Sequence, residues 1–231
     1  MLFDLDDTLF DHRATSRAAL SALRDEVPAL QALAFDELER RHVAVLEELH
    51  HAGVMLGVMS VDEAREERFR RLLAAAGAPA RPEAVVAAAA RYRDLYVASR
   101  RPVPGAVAIL AALARRVRLG VVSNNILAEQ ESKLDQFGMR GLVGALVVSA
   151  DVGVSKPDPA IFEIALTQLG VTAGETVMVG DSWASDIVGA TRAGLRAVWL
   201  NRTGEPCPDP TLATEIRSLE PTASVVGAIL S

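Results

Sequence analysis

Lysine is nearly missing from this chain. Of its 24 basic residues only Lys133 and Lys156 are lysines, and the other 22 are arginines. Chemistry that needs a primary amine therefore has two candidates. Cysteine is reduced to Cys207 alone, which excludes an internal disulfide and suits a reducing compartment. The four histidines, His12, His42, His50 and His51, all fall in the first quarter, so a histidine-based site built from the rest of the chain is excluded. A net charge of −6 removes the positive footprint that nucleic-acid binding requires. Long apolar runs are absent as well. The longest, Val103 to Ala114, has twelve residues, contains Pro104 and is too short to span a bilayer. Asp4, Asp6 and Asp7 stand where a signal peptide would be apolar. What remains is 231 residues, 50% hydrophobic and 23% charged, the profile of a cytoplasmic enzyme with one large domain or a core carrying an insertion.

The pattern changes character twice along the chain. Met1 to Leu5 reads as a short buried strand running into acidic residues. Residues 13–99 are helical throughout, with segments at 14–27, 35–50, 61–76 and 83–98 separated by Pro28, by Gly53 to Gly57, and by Gly77, Pro79 and Pro82. From about residue 100 the texture alternates. Short β-branched runs at 118–122, 145–149, 176–179 and 196–200 are separated by helical stretches that close on Gly138, Gly170 and Gly194. Such alternation implies a parallel sheet covered on both faces, a doubly wound α/β core. The first strand must join that sheet to satisfy its backbone. Residues 1–12 and 100–231 are thus expected to form the core, with 13–99 inserted as a helical domain.

Ligands of open parallel sheets bind beyond the carboxyl ends of the strands. There the sequence places Asp4, Asp6 and Asp7, then Ser123, Asn124 and Asn125, then Lys156, and finally Asp181 and Ser182 with Asp186 a turn later. On an extended backbone Asp4 and Asp6 would point to one side, roughly 6–7 Å apart. With Asp181 and Asp186 arriving from another strand, several carboxylates converge, each pair repelling by roughly 2–3 kcal/mol at an effective dielectric near 20. Either some protonate or a cation sits among them. All-oxygen ligands suit a hard ion, and magnesium is the usual one beside phosphate. Lys156 and the donors around Ser123 meet the opposite need, an anionic group. Carboxylates, magnesium and an anion cradle together describe phosphoryl transfer, for which a carboxylate nucleophile is an established route. Singly, each piece has an ordinary explanation as a cap or turn. All four, in order and at strand ends, make a constellation.

Asp4-Leu5-Asp6-Asp7-Thr8-Leu9, the apolar strand ending at Ser123, Lys156-Pro157, and Gly180-Asp181-Ser182 with Asp186 resemble the four motifs of the haloacid dehalogenase superfamily. The helical insertion after the first motif resembles the cap of its subfamily I. Finer texture at 152–157 and 177–182 is similar to the branch of nucleoside 5′-monophosphatases and acylneuraminate-9-phosphatases. The resemblance implies a magnesium-dependent phosphatase whose cap closes over a small phosphorylated metabolite, a nucleotide or a sugar phosphate. It implies Asp4 as nucleophile and Asp6 as the acid and base. Magnesium would be held by Asp4, the backbone carbonyl of Asp6, and Asp181, with Asp186 and Ser182 supporting. Ser123, the amide at Asn124, and Lys156 would hold the phosphoryl oxygens.

Dehalogenases of the superfamily lack the second aspartate because halide leaves without a proton, whereas Asp6 is present here and an alkoxide needs one. Phosphonoacetaldehyde hydrolases use a cap lysine, and residues 11–100 contain none. Phosphomutase transfer on the same core and a non-catalytic phosphate-binding module remain as alternatives. In the cap, His12 and Arg13 follow the first motif closely and Met55 lies in an apolar, glycine-flanked stretch, which makes these three the candidates for substrate contact. One departure stands out. Only three residues precede Asp4, fewer than a central strand commonly has, so weak pairing is expected at the start of that strand, with the true start upstream or an extension missing.

Overall fold

The computed structural model describes all 231 residues apart from the side chain of His51. The chain divides into two compact units, one of Met1–Asp11 with Arg101–Ser231 and one of His12–Arg100.

The second unit is four helices, α1 (His12–Glu26), α2 (Phe35–Leu49), α3 (Val61–Ala75) and α4 (Pro82–Ala98). Their ends follow local chemistry. Ser60 and Glu63 cap α3 reciprocally, with Ser60 N donating to Glu63 Oε2 at 2.8 Å and Glu63 N to Ser60 Oγ at 3.2 Å. Pro82 opens α4, where a missing N–H costs nothing. Helix α1 packs on α4 and α2 on α3, burying Leu20, Leu23, Leu38, Phe69 and Leu72. The interior also holds His42, fully buried, with no hydrogen-bond partner on either ring nitrogen. Its ring lies 5.0 Å from that of Tyr92. Burial, then the nearby Arg68 and His12, hold its imidazole well below the usual value, so it is neutral.

The first unit is a six-stranded parallel sheet of β1 (Leu2–Phe3), β2 (Gly120–Ser123), β3 (Ala145–Val148), β4 (Val177–Gly180), β5 (Arg196–Leu200) and β6 (Thr214–Ile216), in the order β3-β2-β1-β4-β5-β6. Its helices are α5 (Ala106–Ala114), α6 (Leu127–Gln136), α7 (Ser149–Val152), α8 (Pro159–Leu169), α9 (Val188–Arg192) and α10 (Thr222–Leu230). On one face Leu2, Val122, Ala145, Val147 and Met178 pack against Ile161, Phe162, Ala165, Leu166 and Leu169 of α8. The pleat turns Phe3, Val121 and Val179 to the other face, where they too are fully buried. This is the doubly wound α/β fold that the alternating texture implied.

Strand order reverses at β1, so its carboxyl end and that of β4 flank the crevice where such sheets bind ligands. The weak pairing expected at the start of β1 is not what the structure has. Although the strand itself is two residues long, Gly120 N donates to Met1 O at 3.0 Å and Asp4 N to Val179 O at 2.9 Å, so the ladder continues past both ends.

Candidate active site

Four chain segments deliver the polar groups. Just past β1 the chain coils tightly, with the amides of Thr8, Leu9 and Phe10 all donating to the Leu5 carbonyl at 3.3, 2.9 and 2.8 Å. Asp7 takes a left-handed φ of 64°, which aspartate tolerates better than most residues. The strand ends at Phe3, Asp4 stays buried at its tip, and the carboxylate of Asp6 is taken up by another set of partners.

Asp4 meets Lys156 and Asp186. The Lys156 Nζ lies 2.6 Å from Asp4 Oδ1 and 2.6 Å from Asp186 Oδ1, and all three residues are buried. The loop carrying Lys156 is pinned by Asn124, whose side chain accepts from Lys156 N at 2.8 Å and donates to Lys156 O at 2.9 Å. Asp186 sits on the turn Trp183–Ile187 that leads into α9, and its Oδ2 accepts from Ser182 N at 3.0 Å. Its approach requires Gly180, because a Cβ there would come within 2.2 Å of Asp186 Oδ2. The backbone at Asp181 is fixed by Trp199, whose Nε1 donates to Asp181 O at 2.8 Å. Ser182 Oγ caps the turn by accepting from Ser185 N at 3.3 Å.

Oxygens of Asp4, Asp181 and Asp186 lie within 4.8 Å of one another. Burial first, and then the charges of Asp186 and Asp181, push the Asp4 carboxyl well above its usual range against the pull of Lys156. Burial works against the Lys156 ammonium, but Asp186 and Asp4 outweigh it and raise its proton affinity above the ordinary value. Three carboxylates thus face one ammonium. A phosphate dianion would be repelled by that excess, and a divalent cation among the carboxylates would cancel it. The donor set is oxygen only, which fits a hard ion such as magnesium.

A second cluster adjoins Ser123 at the end of β2. Lys133 Nζ lies 2.5 Å from Asp6 Oδ1, while Gln130 Nε2 and Asn125 Nδ2 donate to Asp6 Oδ2 at 2.9 and 3.1 Å. Gln130 Nε2 is also 2.6 Å from Ser123 Oγ. The sequence gives Gln130 no mark, and Lys133 only the mark of being one of two lysines, with no place at the site. The two stand three residues apart, on the same helix face.

The expected substrate contacts belong to the helical unit. His12 begins α1, half-buried, with Nδ1 2.8 Å from Tyr96 Oη. Arg13 is exposed. Met55 follows the turn His50–Val54 and is half-buried.

Comparison with known proteins bears on this geometry. The model of the haloacid dehalogenase-like hydrolase family matches residues 1–194. Glyceraldehyde 3-phosphate phosphatase of Methanopyrus kandleri is 33% identical over 205 residues, covering 87% of this chain and 83% of its own. Phosphoserine phosphatase of Thermus thermophilus is 33% identical over 238 residues, with 94% of each chain covered. Among solved structures, the HAD-hydrolase YfnB of Bacillus subtilis, bound to magnesium, superposes with a TM-score of 0.73 at 26% identity, covering 97% of this chain and 96% of its own.

Proposed function

The chain belongs to the haloacid dehalogenase-like hydrolase family, and from that premise we propose that it is a magnesium-dependent phosphatase of small phosphate monoesters, nucleotides or sugar phosphates, working through an aspartyl-phosphate on Asp4. One observation carries this reading. Asp4 is buried at the tip of the central strand, 2.6 Å from the Lys156 ammonium and beside two further carboxylates. A carboxylate so placed has an anion-binding cation on one side and a cation-binding set on the other.

Asp4 attacks phosphorus and displaces the alcohol. Asp6 gives a proton to the departing oxygen, then takes one from the water that hydrolyses the aspartyl-phosphate, help typically worth about 10²–10⁴ in rate. Lys156, the Ser123 hydroxyl and the backbone amide of Asn124 hold the phosphoryl oxygens. Asp4, Asp181 and the backbone carbonyl of Asp6 would hold magnesium, which when bound would neutralise charge on the phosphoryl group. Asp186 supports from behind, since both of its oxygens are already engaged by Lys156 and Ser182. Choice among substrates is assigned to His12, Arg13 and Met55 of the helical unit.

The Methanopyrus kandleri and Thermus thermophilus relatives lend weight, both being called phosphatases of a small metabolite. The test is phosphate release from a panel of nucleoside monophosphates, sugar phosphates and p-nitrophenyl phosphate. Release should require magnesium and vanish in Asp4→Asn. Folded protein that releases nothing with magnesium present would sink the reading.

A further inference from the structure

Lys133 is 2% exposed, and an ammonium buried to that degree costs several kcal/mol unless it is paired. It pairs with Asp6, 127 residues away in sequence, and its Nζ also lies 4.8 Å from the centroid of the Phe10 ring. Gln130, fully buried one turn earlier on α6, turns its amide toward Asp6 and Ser123 and leaves its own Oε1 without a partner. Buried amides normally satisfy both ends, so this orientation serves the groups it donates to. Oδ1 of Asp6 is thus held by Lys133, and Oδ2 by Gln130 and Asn125. A carboxylate gripped through both oxygens cannot rotate freely about its terminal bond.

We propose that Lys133, together with Gln130, is the positioning pair that aims Asp6 for proton transfer, Asp6 taking up a proton from solvent as the ester binds and giving it to the leaving oxygen. This rests on the phosphatase reading and deepens it. Neither side chain touches the reacting atoms. They act through Asp6, and the Gln130 bridge to Ser123 locks the acid–base group to the strand end that binds the phosphoryl oxygens. A misplacement of about 1 Å in such a group can cost about 10² in rate. The loss falls on esters whose leaving oxygen needs a proton. An ester that departs as a stabilised phenolate needs none and is largely spared.

The experiment compares kcat/KM for glycerol phosphate and p-nitrophenyl phosphate, because that ratio reports the step in which the leaving group departs and not the later hydrolysis of the aspartyl-phosphate. Lys133→Met is expected to lower the alkyl-to-aryl ratio about 10²-fold, while Lys133→Arg, which restores a cation, recovers most of it. Gln130→Leu should lower the ratio in the same direction. The aryl ester serves as the folding control for each variant. Should Lys133→Met fail to fold, the Gln130→Leu ratio decides. An equal loss on both esters, or no loss, would overturn the role given to the pair. Failure of the unaltered, folded chain to turn over both of these esters and every nucleoside monophosphate and sugar phosphate of the panel would overturn the phosphatase reading itself, and this inference with it.

Discussion

Replacing Lys156 by methionine is expected to cost about 3–5 kcal/mol of stability at neutral pH without divalent cations, the usual penalty for removing one partner of a buried ion pair. Lys156 is 5% exposed and its Nζ sits 2.6 Å from both Asp4 and Asp186. Methionine fills similar space and removes the charge. The carboxylates left behind lie within 4.8 Å of one another, where each pair repels by roughly 3 kcal/mol at an effective dielectric near 20. Part of that is relieved if Asp4 takes up a proton, toward which burial already pushes it. The double variant Lys156→Met, Asp186→Asn removes one of the opposed charges and should recover at least about 1 kcal/mol, since residues in one ion-pair network couple by amounts of that order. Urea denaturation followed by circular dichroism, with chelator present, measures all three proteins. A cost below about 1 kcal/mol for the single variant, or no recovery in the double, would refute the charge accounting.

Magnesium at about 100 times its dissociation constant should raise stability by about 2.7 kcal/mol, and Asp181→Asn should abolish most of that shift in a thermal melt. Gly180→Ala would drive a Cβ against Asp186 and turn it away from Lys156, lowering turnover about 10²-fold while the far-ultraviolet spectrum stays unchanged. His42 makes stability depend on pH. Its folded-state value lies below the unfolded value near 6.5, so the unfolded chain binds more protons between the two. That contribution is complete above about pH 6.5 and is lost as pH falls, by up to about 1.4 kcal/mol per unit. His42→Leu removes the slope and the two orphaned nitrogens. Its melting temperature should gain on the parent between pH 7.5 and pH 5, and a constant difference would refute the burial argument.

The sheet was legible because its signals are local. Buried parallel strands read as β-branched runs, and Gly138, Gly170 and Gly194 end the intervening helices in left-handed conformation, with φ of 67°, 62° and 78°. Strand β6 was not legible. Thr214–Ile216 is three residues long and mostly exposed, so no alternation marks it. Helices α5 and α10 are rich in alanine and valine without a polar stripe, and apolar segments of that length do not declare their period. The polar residues at strand ends could be read from sequence because topology fixes where strand ends lie. The grip on Asp6 could not. It depends on which way the coil after Asp4 turns, set by the left-handed Asp7, and on the face of α6 that meets it. Neither follows from spacing along the chain.

Asp4 as the group that receives the phosphoryl is the centre of the proposed mechanism. Acid-quenching the enzyme during turnover of a ³²P-labelled ester, followed by peptide mapping, tests this directly. Label should appear on the peptide bearing Asp4, be absent from Asp4→Asn, and disappear as the ester is consumed. Turnover with no protein-bound label, or with label on any other residue, would contradict it.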